Sequence, residues 1–292
     1  MKNEFPVYDI CNLSEFKQED ILVSRFAPYL QVHKNLQRPH RHAFYHLVLF
    51  TQGEGTHTID FENFPVKPFQ IYFMVPGQVH SWNFDGKVDG YVINFSISFF
   101  QSFLLKSDYL QNFNFFSGTP ADAVIELPET LQPEVVSLFK KLVEVSENGK
   151  RMGLDLAKTI MIQLFILIAT EKTTYHPPNQ TSYNYTLLKN YQRLIDMNFG
   201  TLKLPKEYAE ILFITPNHLN ALCKEALNMP AGEVIRNRVA LEAKRLLINL
   251  DLTITEIAYR LGFADNSYFT KFFKKQTGTT PEDFRKKVLT IK

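Results

Sequence analysis

The residues of this chain whose types and spacing could do chemistry are histidines. His40, His42 and His46 form a His-x-His-x-x-x-His run ahead of Gly53, and His80 follows Pro76-Gly77 after two intervening residues. Neutral imidazole suits zinc, copper, iron or nickel, so four converging rings could hold a divalent transition metal. The same rings could instead hydrogen-bond an organic ligand in a pocket, or serve packing alone, and spacing leaves all three readings open. Trp82, the only tryptophan, lies two residues beyond His80 and shares its face if the stretch is extended. There it could stack on a sugar or aromatic ligand, or fill a core. No nucleophile with a base and no acid pair accompanies these groups, so enzymatic chemistry is not expected and no cofactor is required.

The elements that must position the histidines read as strands. Short apolar runs, His46–Thr51, Thr56–Phe61, Gln70–Val75 and Gly90–Phe95, are separated by the turn signals Gly53-Glu54-Gly55, Pro65 to Pro68, Pro76-Gly77 and Asp85-Gly86. Strands this closely spaced predict an all-β barrel or jelly roll over residues 1–130. The two histidine segments resemble the two motifs of the cupin barrel, in which two histidines, a glutamate and a later histidine converge on a metal. Here His46 stands at the glutamate's place.

From Pro133 the period changes to helical. Val135, Val136, Leu138, Phe139, Leu142 and Val143 mark one amphipathic helix. Leu154, Leu156, Ala157, Ile160, Met161, Leu164, Phe165 and Ile168 mark a second, apolar around much of its circumference. Such a helix needs cover on more than one side, from the barrel or from a second copy of the chain. Thr173–Tyr183, with two prolines and no apolar period, predicts an extended linker.

The remainder, 184–292, predicts an all-α unit. Thr253 and Glu256 have capping-box spacing, Ile254, Ile257, Ala258 and Leu261 share a face, and Gly262 ends that helix. A second helix buries Phe269, Phe272 and Phe273 and turns Lys271, Lys274 and Lys275 outward; Gly278 stops it, and Thr280-Pro281-Glu282-Asp283 starts a third. Helix, glycine turn and basic helix make a helix-turn-helix. Leu204–Leu212, Phe213-Ile214 and a helix opening at Thr215-Pro216 repeat the pattern, with Leu219, Leu222, Cys223 and Ala226 expected inward. Between the two motifs a helix from Ala231 to about Leu250 is predicted, long enough to hold two recognition helices in successive major grooves.

Ile254, Ala258, Leu261-Gly262-Phe263, Asp265, Ser267-Tyr268-Phe269, Phe273-Lys274-Lys275, Gly278, Pro281 and Phe284-Arg285 resemble the signature of the AraC/XylS transcription regulators. The resemblance implies a sensor barrel with cupin-like histidines, a dimerising helix pair over 131–172, a tether over 173–183, and a double helix-turn-helix unit that reads double-stranded DNA. By position it implies base contacts from Asn217, Asn220 and Ala221 in the first recognition helix and from Asn266, Ser267 and Lys271 in the second. Lys224, Lys274 and Lys275 are placed for phosphates. It further implies a homodimer, an activator by preference, that answers to a small-molecule effector near His40, His42, His46, His80 and Trp82 and meets RNA polymerase. A metal-dependent cupin enzyme joined to a DNA-binding domain, and a regulator controlled by a protein partner, are the alternatives.

Charge and composition agree with this division. From Asn184 onward the chain carries 17 Lys+Arg against 11 Asp+Glu, or +6, and the rest carries 15 against 19, or −4, within a total of +2. A basic helical end is what polyanion binding needs. Cys11 and Cys223 are too few for a disulfide scaffold or a cysteine zinc site and read as buried or free thiols. The first residues, MKNEFPVYDICN, lack the apolar segment of a secretory signal, and the most apolar run, Ile160–Ala169, is half a membrane span. A cytoplasmic protein without membrane contact is therefore expected.

Overall fold

The computed structural model describes residues 7–8, 20–33, 38–100, 103, 109–148, 152–171 and 183–290. The chain divides into two compact units, one of residues 6–175 and one of residues 176–292 with 1–5. Cys11 and, up to residue 182, the predicted linker lie outside the described residues.

In the first unit the strands are β1 (Val7–Tyr8), β2 (Ile21–Arg25), β3 (His40–His42), β4 (Tyr45–Ile59), β5 (Glu62–Val66), β6 (Gln70–Met74), β7 (Val79–Phe95) and β8 (Val124–Glu126). They form one sheet in the order β1-β3-β7-β4-β6-β8, with β2 added to β7 and β5 to β4. Its spine is the long antiparallel ladder of β4 and β7, from Tyr45 opposite Phe95 to Ile59 opposite His80. Alternation along the strands gives each face its own core. Leu47, Leu49, Ile71, Phe73, Tyr91, Ile93 and Phe95 face one side, where two helices cover them. Val48, Phe50, Tyr72, Met74 and Val92 face the other, in one cluster with Ile59 and Trp82 from the far end of the ladder and Val66 from β5. Residues so distant along two strands share a core because the sheet folds over on itself, as a barrel must.

Two expected turns are not turns. Gly53-Glu54-Gly55 and Asp85-Gly86 lie inside β4 and β7. At the first, the register shifts between Phe50 and Gln52 and again between Gln52 and Glu54. Gly53 and Gly55 take φ of +110° and +146°, and a Cβ on Gly55 would lie 2.3 Å from the Asn83 carbonyl oxygen. Glycine inside a strand here marks a bulge with close backbone approach, which bends the ladder without ending it. The actual hairpin turn comes later, at Asp60 (φ +46°) and Phe61 (φ +75°), two positive-φ residues as a type I′ turn requires.

Helices α1 (Phe26–Val32) and α2 (Pro120–Ala123) are short; α3 (Gln132–Asn148) and α4 (Gly153–Glu171) pack against each other and the sheet. The window Gly153–Thr170 is long and apolar enough to cross a membrane by length and composition. Its Ile160, Met161, Leu164, Phe165 and Ile168 are instead buried in the sheet's outer core. At about 1.5–3 kcal/mol for each large apolar side chain buried, this docking accounts for the helix's apolar character.

The second unit contains α5 (Tyr183–Asn198), α6 (Pro205–Ile211), α7 (Pro216–Leu227), α8 (Ala231–Leu247), α9 (Ile254–Arg260), α10 (Asn266–Thr277) and α11 (Pro281–Thr290). Helix α8 is 17 residues long, about 25 Å at 1.5 Å per residue, and shorter than the predicted element. At its end the Arg285 guanidinium takes free carbonyls, with Nε donating to Leu247 O at 2.9 Å and a terminal nitrogen to Leu252 O at 2.7 Å. Buried Leu187, Tyr191, Tyr208, Leu219, Ile235, Val239, Leu247, Ile257, Phe269 and Phe273 belong to one core.

Candidate nucleic-acid interface and buried histidine centre

The two helix-turn-helix units repeat one backbone pattern. At the end of α6, Leu212 N–H donates to Tyr208 O, Phe213 N–H to Glu210 O and Ile214 N–H to Ala209 O; after α9, Leu261, Gly262 and Phe263 donate to Ile257, Tyr259 and Ala258 in the same way. Both turn residues are left-handed, Phe213 at φ +55° and Gly262 at φ +74°. Each following helix is capped by an oxygen side chain: Thr215 Oγ1 accepts from His218 N–H at 3.2 Å, and Asp265 Oδ1 from Tyr268 N–H at 2.7 Å. The capping box at α9 forms, with Thr253 Oγ1 accepting from Glu256 N–H and Glu256 Oε2 from Thr253 N–H. Asn228 and Gly278 end α7 and α10 in the left-handed conformation, asparagine doing at one end what glycine does at the other.

On α7, Asn217, Ala221 and Lys224 are exposed; on α10, Asn266, Ser267, Lys271, Lys274 and Lys275 are exposed. Asn220 differs from its expected role. It is half-buried, and its Oδ1 accepts the Ala231 N–H at 3.1 Å, so its carbonyl caps α8 instead of meeting solvent. Ala226, expected inward, is exposed. His218, which the sequence reading passed over, stands exposed in the first turn of α7 beside Asn217. The signal available was its position next to the Thr215-Pro216 helix start. Cys223 is buried as a free thiol in the core, pushed up to about 11 by burial.

The histidines occupy the interior of the folded sheet. His40 and His42 come from β3, His46 from the start of β4, and His80 with Trp82 from β7, all on inward-facing positions. His57, near the far end of β4, joins them. It lies in a run read from sequence only as a strand; its alternation with Ile59 was the available signal. All five rings are between 0% and 2% exposed, and Trp82 is 4% exposed. They therefore line a packed interior and not a barrel mouth.

Their nitrogens meet directly. His42 Nε2 lies 3.1 Å from His40 Nε2 and 2.8 Å from His80 Nε2, and His80 Nδ1 lies 3.0 Å from His57 Nε2. His40 Nδ1 donates to Arg38 O at 2.7 Å, and His46 Nδ1 to Asn94 Oδ1 at 2.6 Å, Asn94 in turn donating to the Tyr29 hydroxyl. Ligand atoms of His40, His42 and His80 all fall within 4.8 Å of one another. His46 is not part of that trio, although its ring stacks on His42 at 4.8 Å. Burial is the main cause that pushes His40 down to about 4 and His46 to about 3. Burial, with repulsion between neighbouring imidazolium charges, holds His42, His57 and His80 well below the ordinary 6.5. All five are neutral, the state in which imidazole ligates metals.

The sequence model of the AraC-like ligand binding domain matches residues 29–165, and that of a helix-turn-helix domain matches residues 208–287. The chain belongs to the AraC family of transcription regulators. This AraC-family regulator thus joins a ligand-binding domain of the AraC type to a helix-turn-helix DNA-binding domain. It is 20% identical over 96% of its length to the HTH-type transcriptional activator RhaR of Mannheimia succiniciproducens, covering 99% of that protein. It is 24% identical over 86% of its length to the arabinose operon regulatory protein of Salmonella typhimurium, covering 86% of that chain. Over 100 residues, 32% of the regulator and 27% of its relative, it is 38% identical to the uncharacterized transcriptional regulatory protein YesN of Bacillus subtilis.

Proposed function

We propose that the regulator activates transcription by reading two half-motifs of double-stranded DNA, one with α7 and one with α10, under control of an effector in the folded sheet. The observation that carries this reading is the repeated helix-turn-helix geometry with exposed polar and basic residues on both second helices. The relatives named as an activator and as an operon regulatory protein support it. Base edges are assigned to Asn217, His218 and Ala221 on α7 and to Asn266, Ser267 and Lys271 on α10, and phosphates to Lys224, Lys274 and Lys275. Asn220 serves α7 indirectly, through its cap on α8. Helices over 131–172 pair two copies, with Leu154, Leu156 and Ile166 exposed on α4 as the apolar contacts. Residues 173–183 tether the reader, so that each copy reaches its half-site independently. In this scheme the DNA-bound homodimer works in the cytoplasm and contacts RNA polymerase.

Selection of the full-length protein against a randomised duplex library tests this. It should return a site whose half-motifs lie about one helical turn, roughly 10 base pairs, apart. Lys271→Ala should then cost about 1–3 kcal/mol and relax one base position. Lys275→Ala should weaken all sequences alike and reduce the salt slope by about one. A Lys271→Ala protein that selects the unchanged sequence would remove α10 from base reading.

A further inference from the structure

The histidine centre contains a contradiction that a cation resolves. A backbone carbonyl only accepts, so the 2.7 Å contact with Arg38 O puts a proton on His40 Nδ1 and, in the neutral ring, leaves a lone pair on Nε2. That lone pair faces His42 Nε2, which also faces His80 Nε2. If His42 Nε2 carries a proton, one hydrogen serves two neighbours. If it does not, lone pair meets lone pair at His40. No assignment of tautomers to neutral rings gives each of these two contacts its own hydrogen bond.

A second observation points the same way. His46 Nδ1 donates to Asn94 Oδ1, so His46 Nε2 is also a lone pair, and it is buried without a hydrogen-bond partner among the described residues. Leaving such an acceptor unpaired is costly. On His40 and His46, a lone pair whose opposite ring nitrogen is held by a carbonyl or amide oxygen is the arrangement that orients metal-binding histidines.

We propose that the regulator's effector is a divalent transition-metal ion bound by Nε2 of His40, His42 and His80, with His57 orienting His80 from behind. The site stands on its own geometry, and its role as effector rests on the regulator reading above. Two nitrogens at about 2.0–2.1 Å from a tetrahedral ion lie roughly 3.3 Å apart. The contacts of 3.1 and 2.8 Å therefore open by a few tenths of an ångström to admit one, while the third pair, within 4.8 Å, sets the remaining side of the triangle. Bound to the ion, His80 keeps its proton on Nδ1 and donates it to His57 Nε2, which fixes the ring. This trio differs from the four residues that the sequence spacing brings together: His46 stacks on His42 and is not one of the three. The surrounding packing favours an ion over a larger molecule. Trp82 packs on His40, His46, His57 and His80 and Tyr72 on His57, with Phe26 and Phe84 against Trp82 and Phe50 against Tyr72, so an organic effector touching the same nitrogens would have to displace Trp82 or Tyr72.

The test is a titration of chelator-treated full-length protein with Co(II). The expected result is one ion per chain, the intense visible absorption of a tetrahedral site, and quenching of Trp82 fluorescence, because the Trp82 ring lies 4.8 Å from that of His80. His42→Gln and His80→Gln should abolish stoichiometric uptake. His57→Phe should keep the spectrum and weaken affinity by roughly 10–100-fold, and His46→Gln should keep the stoichiometry. Failure of the folded natural protein to take up stoichiometric Co(II), Zn(II), Ni(II) or Cu(II) overturns the site, whatever the variants do. Affinity for the selected DNA, measured with and without the ion, separates the two claims. DNA binding that shifts with metal supports the effector role, and DNA binding indifferent to a bound ion overturns it. Absence of any DNA binding in both states would instead fail the regulator reading and leave the metal result standing.

Discussion

Metal-free protein titrated with acid should lose the structure of its N-terminal unit cooperatively, with a midpoint near or above about pH 5, while holding it at pH 7. The cause is the burial of five neutral histidines. In the unfolded chain each takes up a proton near its ordinary 6.5, whereas in the folded chain His40 does so only at about 4 and His46 at about 3, the other three being held well below 6.5 as well. The unfolded state therefore binds more protons throughout the window from about 6.5 down to about 4, and stability falls as pH falls. Each histidine contributes a slope of about 1.4 kcal/mol per pH unit. Five together approach about 7 kcal/mol per unit, enough to exhaust a typical reserve of about 5–15 kcal/mol within one to two units. Trp82 is the only tryptophan, so its fluorescence reports this unit alone. His57→Phe removes one titrating group and should reduce the slope by about one proton. A fluorescence transition that stays below pH 4 would mean that the rings are not buried as neutral species.

Much of the fold was legible because its signals are local. The capping box at Thr253 and Glu256, the left-handed stops at Gly278 and Asn228, and the alternation in β4 and β7 depend on residues a few positions apart, and the structure repeats them. What was not legible depends on contacts remote in sequence. Gly53 and Gly55 carry a turn's composition, yet Val88 and Asn83 across the ladder make them a bulge. The carbonyl at the end of α8 is capped by Arg285, 38 residues from Leu247. At the candidate site, four of the five histidines were found by spacing. His57 was not, because its 23-residue separation from His80 matters only once β4 and β7 bring the two together. Asn220 looked like a base reader because helical period places it outward; only the Ala231 N–H, supplied by the next helix, shows its other use.

Gly262→Ala should destabilise the DNA-binding unit by about 2–5 kcal/mol, roughly twice the effect of Gly278→Ala, although both glycines take nearly the same left-handed φ of +74° and +80°. The conformation alone costs an alanine about 1–2 kcal/mol, and Gly278, with nothing within 4 Å of an added Cβ, should show only that cost. At Gly262 the added carbon would lie 2.0 Å from the Gly200 carbonyl oxygen and 3.2 Å from its carbon. Backbone must move to admit it, at about 1–3 kcal/mol more. The movement falls on a junction, because Lys203 Nζ donates both to Leu261 O at 2.6 Å, beside Gly262, and to Phe199 O, beside Gly200. The second helix-turn-helix is thereby pinned to the entrance of the first. The corresponding turn of the first motif shows the control already built into the chain: Phe213 takes φ +55° with its side chain 95% exposed, because there the turn faces solvent and only the conformational cost applies. Urea unfolding followed by helical circular dichroism, with DNA affinity measured on the same samples, distinguishes the cases. Gly262→Ala should lower the midpoint of the second unit and weaken DNA binding, while the Trp82 signal of the first stays unchanged. Equal effects from Gly262→Ala and Gly278→Ala would show that the approach to Gly200 does not constrain how the two recognition helices are held.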